Sequence, residues 1–374
     1  MSSIVIDVQK AEDVRDVVHR GVQALAEGQL VAFPTETVYG LAASALNESA
    51  VNQLAELKSR NANHPMTLAL RSADDVWDYI PGICSLGRRL ARRCWPGPVT
   101  LVLDDNHPDT LLRQLPQAVQ KLVAPEGTVG LRVPAHQLIL EVLKMLTGPI
   151  VLTSANLSGQ PDATTADEVV QGFGDSVAIV MDDGRSQFGQ PSTVVRVNKG
   201  QLEILREGVV TRDTLSQLSA FMVILVCTGN TCRSPMAEVL CRQRLAERLK
   251  CRPGELEDRG VKVLSAGIAA MPGSPASTEA VNVMADSSLD LGQHISQPLT
   301  DRLIRHADLL FTMTAGHRSA ILAHWPEAAG RVKLLCPDNR DVSDPIGGTR
   351  EVYRQCADQI DTAIQERVAE FELD

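Results

Sequence analysis

After residue 220 the apolar positions fall into short unbroken runs separated by longer stretches of helical period. Residues 221–226 are six apolar side chains in a row, ending in a Gly/Asn-rich turn. A run that short fits a strand buried on both faces. The same reading continues with a helix at 235–249, a strand at 261–265, helices at 277–287 and 300–306 and a strand at 308–313. It ends with a helix at 316–325, a strand at 331–335 and a helix at 350–371. Alternating strands and helices require crossover connections, which predicts a parallel sheet covered on both faces. Upstream, residues 30–33, 99–103, 150–152 and 194–197 read as strands, and 51–58 and 135–146 as helices. Their connections are longer and less regular, which predicts an α/β unit with a twisted mixed sheet. A polar helical stretch at 211–220 separates the halves. The expected domains are therefore 1–212 and 221–374.

Length agrees with two domains, since 374 residues at roughly 150 per domain exclude a single small module. Hydrophobic residues make up 44% and charged residues 22%, and the Gly and Pro residues are dispersed, which excludes disorder, collagen and coiled coil as the dominant state. Both halves are acidic, with 19 basic against 25 acidic residues up to position 220 and 17 against 21 beyond it. That is the wrong sign for a sequence-independent nucleic-acid binder. The N-terminus lacks a basic segment followed by an apolar core, and no stretch approaches the ~20 apolar residues that span a bilayer. The expectation is a cytoplasmic protein with no membrane partner. Six of the eight cysteines follow residue 220 at irregular spacing, so reduced thiols are expected.

The stretch Cys227-Thr228-Gly229-Asn230-Thr231-Cys232-Arg233-Ser234 lies between a predicted strand end and a predicted helix start. Parallel α/β sheets bind anions there. Gly229 and Asn230 are both expected to supply positive φ, turning the backbone amides inward. Arg233 offers a planar fork for two phosphoryl oxygens. Cys227, at the base of that positive cradle, is placed to attack phosphorus, with Ser234 donating to its sulfur. Pro235 is expected to open the helix. Downstream, Ser343-Asp344-Pro345-Ile346-Gly347-Gly348 presents a loop carboxylate suited to protonating a leaving group.

This pattern resembles the low-molecular-weight protein tyrosine phosphatase family. Matching stretches run through the half: VCTGNTCRSPMAE from residue 226, Ser265-Ala266-Gly267, ADLLFTMT from residue 307, and the Asp-Pro loop. The resemblance implies a flavodoxin-like sheet of four parallel strands, Cys227 as nucleophile, Arg233 as transition-state clamp and Asp344 as general acid then base. It implies no cofactor and no metal. Thr228, Gly229, Asn230, Thr231, Cys232 and Ser234 would complete the phosphate-binding and selectivity loop. Phosphotyrosine members usually carry Ile or Leu at position 231 and one or two Tyr after Asp-Pro, where this chain has Thr231, Ile346 and Gly347. CTGNTCRS and Asp-Pro-x-Gly-Gly instead resemble the protein-arginine phosphatase branch, although that branch commonly has Phe at position 346. The resemblance implies a phosphoprotein substrate, carrying phosphoarginine or phosphotyrosine. An arsenate reductase would need two further relay cysteines, and none lie between Cys251 and Cys336.

In the first half, Pro34-Thr35-Glu36-Thr37-Val38-Tyr39-Gly40-Leu41 follows a strand and is rich in hydroxyls. Lys58-Ser59-Arg60 closes a helix, and Ser154-Ala155-Asn156 follows another strand. Together they offer cations for a polyphosphate and small residues that let backbone approach a ligand. With WPGPVT from residue 95, TVGLRVP from 128, PSTVV from 191 and LREG from 205, the set resembles the threonylcarbamoyl-AMP synthase family, the YrdC-type domain. The resemblance implies condensation of L-threonine, bicarbonate and ATP, with Mg2+ on the phosphates, into threonylcarbamoyl-AMP and pyrophosphate. A tRNA is reached only indirectly, through a separate transferase complex. Thr37, Arg132 and Ser192 would hold threonine. Lys58, Arg60, His64, Thr128, Ser154, Asn156 and Arg206 would surround ATP. Asn61 and Ala69 stand where the family usually has Pro and a threonine-touching His. Ala69 therefore supports an alternative, a non-catalytic nucleotide- or RNA-binding module attached to an active phosphatase.

Overall fold

A computed structural model describes residues 3–58, 65–157 and 159–373, in two compact units, Met1–Leu215 and Ser216–Asp374. The strands of the first are β1 (Ile4–Asp7), β2 (Val31–Phe33), β3 (Gly40–Ser44), β4 (Thr67–Ala69), β5 (Val99–Asp104), β6 (Thr128–Arg132), β7 (Ile150–Ser154), β8 (Ile179–Asp182), β9 (Thr193–Asn198) and β10 (Gln201–Arg206). They form one sheet in the order β1-β8-β2-β3-β7-β4-β6-β5-β9-β10. Pairing is mixed: β5 runs parallel to β9 and antiparallel to β6, and β3 runs antiparallel to both β2 and β7. The helix Val14–Ala26, capped by Asp13, packs with Gln137–Met145 on an apolar cluster that includes Val31, Phe33, Ile150 and Met181. Asn47 caps Glu48–Leu57, so this helix starts three residues before the expected 51.

In the second unit β11 (Phe221–Cys227), β12 (Val261–Gly267), β13 (Leu309–Thr312) and β14 (Val332–Leu334) form an all-parallel sheet in the order β12-β11-β13-β14. Every residue of β11 is buried. Its alternate positions feed two cores: Val223, Leu225 and Cys227 pack with Met236, Leu240 and Ile360, whereas Met222, Ile224 and Val226 pack with Ile304, Leu310 and Ile321. That is the period-2 division of a strand between two helical layers.

The helix expected from residue 235 begins at Arg233, so Arg233 and Ser234 lie in its first turn and Pro235 follows them. The missing N–H of proline costs nothing there, because first-turn amides have no intrahelical acceptor. Among the described residues no helix is long and apolar enough to cross a membrane.

Candidate functional sites

Several strand ends of the first unit converge on a cavity of about 320 Å3. Thr128 and Arg132 bound β6, Ser154 ends β7, Ser192 precedes β9 and Arg206 ends β10; all five line it, with Thr37 from the β2–β3 connection. Arg132 is buried and its Nη2 donates to Glu36 Oε1 at 2.8 Å and Thr37 Oγ1 at 2.9 Å. The other Glu36 oxygen accepts the Ala135 amide at 3.0 Å. Arg206 donates to the Ser192 carbonyl at 2.8 Å, and burial lowers its pKa. Ser192 Oγ also lies 3.0 Å from Thr100 Oγ1. Lys58, at the C-terminal end of its helix, sends Nζ to the Ser154 carbonyl at 2.8 Å, to Asn156 Oδ1 at 2.6 Å and to the Asn156 carbonyl.

In the second unit the residues after β11 fold back over its end. Ser234 Oγ lies 3.0 Å from Cys227 Sγ, and the Asn230 amide donates to the same sulfur at 3.3 Å. The Asn230 amide is thus a fixed donor to that sulfur, and the Ser234 hydroxyl can be a second. Asn230 has φ +56° and is fully buried. Its Nδ2 donates to Ser234 and Ser265, both at 2.9 Å, its Oδ1 accepts the Gln297 amide at 2.9 Å, and its carbonyl lies 2.8 Å from His294 Nε2. Those bonds offset the strain of a left-handed non-glycine. Arg233 Nη2 meets Asp344 Oδ2 at 2.5 Å, across 111 residues of sequence. Cys232 Sγ lies 3.3 Å from Tyr353 OH.

Residues 23–208 match the family model described as Telomere recombination, the Sua5, YciO and YrdC group, and residues 222–374 match that described as Low molecular weight phosphotyrosine protein phosphatase. A Pyrococcus abyssi threonylcarbamoyl-AMP synthase is 36% identical over 195 residues, which are 52% of this chain and 54% of the relative; the chain thus spans about half of that protein's length. A Mycobacterium tuberculosis protein named putative threonylcarbamoyl-AMP synthase is 33% identical over 53% of this chain and 86% of its own. A Bacillus subtilis protein-arginine-phosphatase is 35% identical over 156 residues, 41% of this chain and 97% of its own. The chain belongs to both families.

Within the Sua5/YrdC-family unit the cavity gathers the three residues expected around threonine, Thr37, Arg132 and Ser192, and three of those expected around ATP, Thr128, Ser154 and Arg206. Lys58 and Asn156 are not in its lining but are bonded to each other and to Ser154. Arg60, Asn61 and His64 lie outside the described residues. Ala69 is fully buried in the apolar cluster with Phe33 and Ile150, away from the lining. Glu36 is the residue that the sequence reading did not assign. A carboxylate among the hydroxyls of Thr35-Glu36-Thr37 was the available signal, but its partner Arg132 lies 96 residues away.

Within the phosphatase-family unit Cys227, Arg233, Ser234 and Asp344 come together. One expectation is corrected. Asn230 alone supplies positive φ, and the φ of Gly229 lies outside the left-handed region. A different glycine is required by space: a Cβ on Gly267 would stand 2.4 Å from the Thr228 carbonyl oxygen and 3.0 Å from the Asn230 amide nitrogen. Gly267→Ala is therefore expected to push the loop off β12 and cost about 1–3 kcal/mol. Denaturant midpoints and binding of inorganic phosphate, both expected to weaken, check this.

Proposed function

We propose that the chain is a bifunctional cytoplasmic enzyme, a threonylcarbamoyl-AMP synthase followed by a cysteine-dependent protein phosphatase. For the first activity the supporting observation is the convergence of Thr37, Arg132 and Ser192 with Thr128, Ser154 and Arg206 on one cavity. Arg132 pairs with the threonine carboxylate, while Arg206 in the lining, with Lys58 held on the Ser154 carbonyl beside it, serves the ATP. Cations there offset the charge that develops at the α-phosphate as pyrophosphate leaves. Mg2+ arrives on the nucleotide, bicarbonate supplies the carbamoyl carbon, and tRNA is served through a transferase complex. Incubation with ATP, threonine and bicarbonate should release pyrophosphate only when all three are present. Threonine-independent release, or none, overturns the reading.

For the second activity the support is the set of short contacts joining Cys227, Ser234, Arg233 and Asp344. Cys227 Sγ attacks the phosphoryl group to form a thiophosphate, and Arg233 clamps two equatorial oxygens. Asp344 gives its proton to the departing nitrogen or oxygen. Water then displaces the sulfur, Asp344 takes the water's proton, and Ser234 steadies the leaving thiolate.

The preferred substrate is phosphoarginine over phosphotyrosine. Thr231 puts a hydroxyl where a phenol would want an apolar wall, and Ile346 and Gly347 provide no aromatic face. Aromatic stacking is worth ~0.5–1.5 kcal/mol, about two- to tenfold in binding, so aryl phosphates remain substrates. Thr231→Ile is expected to shift the kcat/KM ratio toward a phosphotyrosine peptide by about that factor. An unchanged ratio, or a wild type that prefers phosphotyrosine, refutes the role given to Thr231.

A further inference from the structure

His317 is buried in the first turn of the helix Ala315–His324. Its ring bridges two hydroxyls: Nε2 lies 2.8 Å from Thr228 Oγ1, and Nδ1 lies 2.9 Å from Thr314 Oγ1. Thr228 directly follows Cys227 and is itself exposed. The same helix start holds the Asp344 loop. The Ala315 amide donates to Asp341 Oδ1 at 2.8 Å, and the Val342 amide donates to the Met313 carbonyl at 2.7 Å. Arg233 closes the ring of contacts, with Nη1 on the Val342 carbonyl at 3.4 Å and Nη2 on Asp344.

We propose that His317 is a positioning residue for the phosphatase reaction: as the Nε2–H tautomer it fixes the Thr228 hydroxyl, and with Thr314 it fastens the phosphate loop and the Asp344 loop to one helix start. This rests on the phosphatase reading above. In that tautomer the Thr314 hydroxyl, whose oxygen accepts the His317 backbone N–H at 3.2 Å as the helix cap, gives its own proton to Nδ1. That leaves the ring proton on Nε2, where it is donated to Thr228 Oγ1. The Thr228 proton is then free to turn toward a phosphoryl oxygen or leaving group. Burial and the nearby Arg233 charge lower the His317 pKa, against the opposing pull of Asp344 and Asp341. A neutral ring, with one donor and one acceptor nitrogen, is what the bridge requires.

Misplacing a reacting assembly by about 1 Å costs on the order of 100-fold. His317→Ala is expected to lower kcat for p-nitrophenyl phosphate by about 10- to 100-fold with KM within about threefold. His317→Gln, which can still bridge two hydroxyls, should recover most of it. Thr228→Val should reproduce a large part of the loss and add nothing to it in the His317→Ala background. Losses that simply multiply, or a His317→Ala enzyme with unchanged kcat, overturn the proposal. An arm independent of turnover uses the full chain labelled with 15N at histidine. One protonated ring nitrogen, Nε2, is expected for His317 at neutral pH, with its shift moving when inorganic phosphate binds. A protonated Nδ1, or a shift that phosphate leaves in place, overturns it. A wild type inactive on p-nitrophenyl phosphate with the expected 15N pattern would instead remove the phosphatase reading and leave the geometry standing.

Discussion

Cys227→Ser should abolish phosphoryl ester and phosphoramidate hydrolysis, by about 10^4-fold or more, while threonine-dependent pyrophosphate release stays unchanged. A factor of 10^4 is about 5 kcal/mol of barrier. The reason lies in what surrounds the sulfur. Ser234 Oγ at 3.0 Å and the Asn230 amide at 3.3 Å can donate to a thiolate, but neither supplies a base strong enough to take a proton from a serine hydroxyl. Asp344 is held on Arg233 and is assigned to the leaving group. A serine at position 227 would therefore remain a weak neutral nucleophile, since a hydroxyl gives up its proton far less readily than a thiol. Kinetics on p-nitrophenyl phosphate and a phosphoarginine peptide measure the loss. Residual activity above one part in a hundred, with a native denaturation midpoint, would remove Cys227 from the nucleophile role.

The division into two α/β units was legible because strand runs such as 221–226 and the helical periods between them report local burial, which is a property of neighbouring residues. The tight turn after β11 was legible for the same reason, since Cys227, the left-handed Asn230 and Arg233 lie within seven residues, whereas the positive φ expected at both Gly229 and Asn230 is found at Asn230 alone. What the pattern could not show is which distant residues meet. Glu36 finds Arg132 across 96 residues, and Asp344 finds Arg233 across 111. The order of the ten-stranded sheet places β4 between β7 and β6 and pairs β5 with β9, and neither neighbour is adjacent in sequence. Short strands such as β4 and β8 carry too few residues to show a period. His317 lay outside the reading because a lone histidine in a helix has no local signal. Of its two hydroxyl partners Thr314 is the local cap, but Thr228 lies 89 residues away and meets it only when β13 and β11 pair in the sheet.

The first unit yields the larger stability prediction, because Arg132 and Glu36 are paired where water scarcely reaches, with their side chains 8% and 4% exposed. Arg132→Ala would leave the Glu36 carboxylate buried with the Ala135 amide as its remaining hydrogen-bond donor. Removing one partner of a buried pair costs about 3–5 kcal/mol, a large share of the ~5–15 kcal/mol that holds a domain together. Lost synthase activity in that variant alone would not separate binding from unfolding. The double replacement Arg132→Met with Glu36→Gln does so, because it removes both charges and keeps roughly the volume. Its denaturation midpoint is expected to return most of the way to wild type. Threonine use should not return with it, since a charge-assisted hydrogen bond is worth ~1.5–3 kcal/mol and the bidentate contact to a carboxylate would lose two of them. The expected fall in kcat/KM for threonine is at least about 100-fold, with the ATP dependence little altered. A stable double variant that uses threonine as well as wild type would show that Arg132 holds the cavity wall together and does not contact the amino acid.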